Sequence, residues 1–121
     1  MFPQIALSEH EKESKVWVEG DIIATKVLCR TEDAILELIN ADIKGPESHV
    51  MMVVGTLVAD GQCTALPFPI RFMVTKSLLE YKDFKKRPSV VLGAVAQNGD
   101  WVGWIIAAGT FQAGEKKDVL I

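Results

Sequence analysis

The sequence predicts an α+β domain: an antiparallel sheet of five or six strands built from hairpins, with two short helices, the sheet either open and covered by a partner or closed like a barrel. Three observations carry this. Runs rich in Val, Ile and Thr recur between Gly- and Pro-containing turn signals, at 16–18, 22–29, 50–58, 63–74, 90–96 and 101–111. Two segments, 32–43 and 78–86, carry helix start and stop signals. The chain has 121 residues, of which 49% are apolar and 24% charged, so it can bury a core as one domain without being disordered. Residues 1–14 read as an N-terminal arm and 112–121 as a C-terminal tail of that single domain, 1–121.

Each element follows from local chemistry. Val16–Val18 and Ile22–Cys29 flank a Glu19-Gly20-Asp21 turn and read as strands. Thr31 is a helix N-cap, and Glu32 and Asp33 suit the positive end of the helix dipole. Over the next twelve residues Asp33, Glu37, Asn40 and Lys44 fall on one face and Ile35, Leu38 and Ile39 on the other, until Lys44-Gly45-Pro46 stops the helix. Val50–Val58 is a continuous apolar run and reads as a strand, turned back at Ala59-Asp60-Gly61-Gln62 by a hairpin. In 63–74, Phe68, Ile70, Phe72 and Val74 share one face and Arg71 and Met73 the other. Pro67 and Pro69 place the start of this strand at an edge or a bulge. Ser77 and Glu80 form a capping-box pattern for a helix over 78–86 that ends at Pro88. The last hairpin turns at Asn98-Gly99. Residues 54–61 and 92–99 resemble each other at an offset of 38, through shared hairpin physics or through an internal duplication.

The runs 50–58, 90–96 and 101–108 do not alternate in polarity, so as strands they would need cover on both faces. A helix is about 10 Å wide and strands lie about 4.8 Å apart, so two helices cover only about four strands on one face. The surplus apolar surface requires barrel closure or a second subunit, and a homo-oligomer is expected. Trp101 and Trp104 are the candidate interface residues. They sit three apart on a strand and so face opposite sides.

Net charge is −3, but its distribution is uneven: residues 1–60 carry eleven acidic and five basic side chains, and 61–121 five acidic and eight basic. Arg71, Lys82, Lys85, Lys86 and Arg87 are the candidate ligand-binding residues, suited to a phosphate-bearing or nucleotide-like anion or to an acidic protein surface. The overall negative charge argues against a specific nucleic-acid partner. His10 reads as a solvated side chain, and His49 stands beside Ser48 at the start of an expected strand, where adjacent residues point apart and make no nucleophile–base pair. No spacing of Cys, His or carboxylates suits a metal, and no glycine-rich phosphate loop is present, so no cofactor is expected. Cys29 and Cys63 lie in strand-like runs and are expected as buried free thiols, with strand pairing the one route to a disulfide. The start of the chain lacks the pattern of a leader peptide, and Gln97–Asp100 interrupts the one long apolar stretch, 88–114. A cytoplasmic protein without a membrane span is therefore expected.

The order strand, helix, then antiparallel strands ending in Ala107-Ala108-Gly109-Thr110-Phe111 resembles the hot-dog fold over about residues 16–111. That resemblance implies a dimer and, as one functional class, an acyl-thioester hydrolase or dehydratase using Glu37 or Asp33 near a dimer cleft. The helix here is short and acidic and lacks that family's glycine-rich lead-in. The leading expectation is instead a non-enzymatic binding protein that uses its basic patch beside a subunit groove. A third is an inhibitory or scaffolding protein acting through its apolar surface.

Overall fold

A long third strand organises the molecule. The computed structural model describes residues 15–96, 99 and 101–113. The elements in order are β1 (Val16–Val18), β2 (Ile22–Cys29), α1 (Glu32–Lys44), α2 (Glu47–Ala59), β3 (Cys63–Lys82), β4 (Pro88–Ala96), β5 (Val102–Ala108) and β6 (Thr110–Gln112). Strands β2-β3-β4-β5 form a closed antiparallel barrel, while β1 and β6 pair in parallel as a separate two-stranded sheet. The fold is therefore α+β, as the sequence predicts, and the barrel is the sheet arrangement it adopts. Both helices pack together outside the barrel, so no helix is wrapped by the sheet.

The strands β2, β4 and β5 and the helix α1 form where the sequence places them. Thr31 Oγ1 accepts a hydrogen bond from Ala34 N at 3.1 Å and caps α1. Gly45, at φ 64°, ends the helix by donating its N–H to Ala41 O at 2.7 Å. Its lack of a side chain also makes room, because a Cβ here would lie 2.5 Å from Cγ of Phe84. Asp33, Glu37, Asn40 and Lys44 are all exposed, and Ile35, Leu38 and Ile39 are buried.

Two elements differ from expectation. Residues 50–58 are not a strand but the body of α2. Val50, Val53, Val54, Leu57 and Val58 face inward at helical spacing. The outward positions hold Met51, Met52, Gly55, Thr56 and Ala59, which carry no charge and so hide the period. The turn at 59–62 therefore joins a helix to a strand, and His49 lies exposed in the first turn of α2. The segments 54–61 and 92–99, alike in sequence, differ where they are described: 54–59 is helix, and its counterpart 92–96 is strand.

Residues 78–86 are likewise not a helix. β3 runs on to Lys82 and pairs with β4 through Leu79↔Val91 and Tyr81↔Ser89. The capping-box pattern at Ser77 and Glu80 loses because β4, buried along most of its length, must be hydrogen-bonded on both edges. Pro67 and Pro69 do mark a bulge. Thr25 pairs with Ile70 and Val27 with Ala65, so Leu66–Pro69 stands opposite Lys26 alone. Phe68 is thereby swung outward to 63% exposure, off the face it would otherwise share with Phe72 and Val74.

Cys29 and Cys63 are not free. They are cross-strand partners in the β2–β3 register and are joined as a disulfide. The helical hairpin returns the chain to where it left the sheet, which brings the two thiols together. The bond closes the excursion of both helices across a sequence separation of 34 and should contribute about 2–4 kcal/mol.

Two cores result. Phe72, Val74, Val90, Leu92 and Ile105 fill the barrel. Ile35, Leu38, Leu57, Val91 and the disulfide form a second core between the helices and the barrel's outer face. Two glycine substitutions separate crowded from open positions. A Cβ on Gly103 would lie 2.5 Å from Cys29 O, whereas one on Gly55 meets nothing within 4 Å. Gly103→Ala should destabilise by about 1–3 kcal/mol through overpacking. Gly55→Ala should stabilise α2 by about 0.5–1 kcal/mol. Urea unfolding of both variants checks the pair, and a destabilising Gly55→Ala would contradict a helix at 47–59.

Candidate functional site

The five candidate binding residues do not form one group. Lys82, Lys85, Lys86 and Arg87 gather at the turn between β3 and β4. Arg71 lies eleven residues back along β3, opposite Ala24 of β2, a path of roughly 36 Å at strand rise. It belongs to the other end of the hairpin.

The turn is built around Asp83, a buried carboxylate. Its Oδ1 accepts Lys85 N and Arg87 N, both at 2.9 Å. Its Oδ2 accepts Arg87 Nε at 2.9 Å and pairs with the second guanidinium nitrogen at 2.8 Å. Arg87 is thus committed to holding the loop. Burial alone would push the Asp83 carboxyl up, but the donations from Arg87 and Lys85 together with the guanidinium charge outweigh it and hold the carboxyl below the ordinary aspartate value.

The turn is anchored from below. Phe84 N donates to Asp42 O at 2.8 Å, and the Phe84 ring lies against Gly45 at the end of α1. Lys85 Nζ lies 5.7 Å from the centroid of that ring. Lys86 adopts φ 66°, the left-handed region that a lysine occupies at a cost of about 1–2 kcal/mol. Lys82, Lys85 and Lys86 are exposed, and the one ion pair among the described residues is Arg87–Asp83. Beside them a pocket of about 240 Å³ is lined by Glu80, Tyr81, Lys82, Pro88, Ser89 and Thr110.

The two candidate interface tryptophans part company. Trp101 stands just before β5, 38% exposed. Trp104 packs against the second core, beneath the helices. The exposed apolar surface follows the strand register instead. Ile22 pairs with Met73, Met73 with Val95 and Val95 with Val102, so one row of apolar side chains crosses four strands on the outer face. Val102 is 68% exposed. Sequence reasoning missed this row because only the pairing register aligns it. Asp33 and Glu37, the candidate acids of a thioester enzyme, sit on the exposed face of α1 and line neither the pocket at the basic turn nor the cavity between helices and barrel. His10 lies outside the described residues. Among the described residues, no group of His, Cys, Asp and Glu side chains could hold a metal ion, and no helix is long and apolar enough to cross a membrane.

Fold and turn together define a class: a small antiparallel barrel that carries a helical hairpin on one flank and an anchored basic turn. No family model, curated protein or solved structure matches the chain.

The Asp83 anchor has a pH signature. Its folded carboxyl lies below the unfolded value of about 3.9, so the stabilisation is full above that value and is lost as pH falls through the lower folded one. Asp83→Ala should cost about 1–3 kcal/mol at pH 7. The gap to the parent chain should narrow below about pH 4. Denaturant titrations at both pH values test this, and a gap independent of pH would refute the anchoring role.

Proposed function

We propose that the protein is a non-enzymatic binding protein whose β3–β4 turn takes the anionic group of a phosphate-bearing small ligand or of an acidic protein surface. The anchored turn carries the reading. Asp83 fixes the backbone of the turn that carries Lys82, Lys85 and Lys86, so that backbone is ordered before a ligand arrives. Lys86 supports it further. A lysine held at φ 66°, where glycine would be unstrained, indicates that the position serves something other than stability. The adjacent pocket adds Ser89 and Lys82 as hydrogen-bonding groups for a phosphate.

The test uses pyrophosphate and ADP as probes, with binding followed by calorimetry. Alanine at Lys82, Lys85 and Lys86 together should abolish binding and leave the circular dichroism unchanged. Arg87 is left in place because it holds Asp83. Lys86→Gly should raise stability by about 1 kcal/mol while weakening the probe. Binding that survives the triple substitution would remove this site.

A homo-oligomer belongs to the same proposal. The row Ile22–Met73–Val95–Val102 has the character of an apolar interface centre. A second copy presenting the same row pairs like with like across a two-fold axis. Sedimentation should give the mass of two chains for the parent and of one chain for Met73→Lys combined with Val102→Lys. A single-chain mass for the parent would end the assembly reading. A cytoplasmic setting would hold Cys29 and Cys63 reduced, whereas the bond that they form here belongs to oxidising compartments.

A further inference from the structure

A second cavity lies between the helical hairpin and the barrel, apart from the basic turn. It has a volume of about 240 Å³. Ile35 and Leu38 of α1, Val50 and Val54 of α2, and Trp104 and Ile106 of β5 form most of its wall. Two oxygen-bearing side chains also line it, Thr25 and Asp42. The Thr25 hydroxyl is engaged locally, against Val27 O at 3.3 Å and Val27 N at 3.4 Å.

Asp42 is differently placed. Tyr81 Oη donates to its Oδ2 at 2.6 Å. Burial, and then the bond to Asp42, push the Tyr81 hydroxyl far above the usual tyrosine value, so Tyr81 stays protonated and acts as donor. Asp42 is then the acceptor. No described residue pairs a cation with it, since the one ion pair among them is Arg87–Asp83. Among the described residues, the bond from Tyr81 is the one side-chain hydrogen bond that ends on the Asp42 carboxylate. The cavity therefore combines apolar walls with one carboxylate in its lining that no described cation pairs. Apolar cavities of about 150 Å³ hold benzene, so this one has room for a somewhat larger body.

We propose that this cavity binds a small organic ammonium ion, its apolar body against Leu38, Val54 and Trp104 and its N–H groups on the Asp42 carboxylate. Lys76 Nζ already stands over the Trp104 ring, 5.6 Å from its centroid. The ring therefore serves as an apolar wall, and Asp42 positions the charge. The same carboxylate repels a carboxylate-headed ligand of equal size and so sets the sign of the preference.

n-Hexylammonium, 1-hexanol and hexanoate, equal in chain length, serve as probes. NMR of the full chain follows the Trp104 indole and the Leu38 and Val54 methyl groups. Hexylammonium should give a saturable shift at all three positions, hexanol should bind about tenfold more weakly, and hexanoate more weakly still. Asp42→Asn should erase the advantage of hexylammonium over hexanol. Equal binding of the three probes, no saturable shift with hexylammonium, or an advantage retained in a folded Asp42→Asn chain would each overturn the proposal. Should Asp42→Asn fail to fold, the order of the three probes on the parent chain still decides.

Discussion

Strand β3 is the member on which the rest of the molecule depends. It is twenty residues long and pairs with β2 along its first half and with β4 along its second. A strand shared in this way must bend, and bulges at Leu66–Pro69 and on either side of Lys76 and Ser77 supply the bend. The curvature lets β5 reach β2 through Cys29↔Trp104 and closes the barrel. Closure removes the sheet edges and gives the inner face of four strands a core of its own.

The same closure determines where chemistry can sit. The helical hairpin leaves and rejoins the sheet at the paired Cys29 and Cys63, so both helices are held over one flank of the barrel. The fit there is incomplete, and a cavity remains beside Trp104. Asp42, in the last turns of α1, links the two candidate sites. Its backbone oxygen accepts Phe84 N from the basic turn, and its side chain both lines the cavity and accepts Tyr81 Oη. A displacement of α1 would therefore reach both.

The apolar excess of the sequence, a mean hydropathy of +0.20, is distributed over three places. Part of it fills the barrel, and part packs under the helices. The remainder stays outside, on the row from Ile22 to Val102 and on Met51 and Met52 of α2, which are 61% and 63% exposed. Two helices do not cover the sheet, as the sequence implies, but one of them is itself part of the uncovered surface.

Local chemistry was legible wherever one residue decides the outcome: Thr31 as a cap, Gly45-Pro46 as a stop, and the paired prolines as a bulge. It was also legible that Lys82–Arg87 form a basic group, though not that Arg87 is committed to Asp83. Residues 50–58 misled because a helix that is apolar on its inner face and uncharged on its outer face shows no period. Residues 78–82 misled because their helical signals are local, whereas the demand of β4 for hydrogen bonds is not. By itself, then, the sequence determined the class of fold, the caps and the breaks. Tertiary structure decided the disulfide, the anchored turn, the row Ile22–Met73–Val95–Val102 and the Asp42 cavity. The disulfide, the row and the cavity join residues far apart in the chain that strand register and barrel closure bring together, and the turn, though its Asp83 contacts are local, is held to α1 by the bond from Phe84 N to Asp42 O.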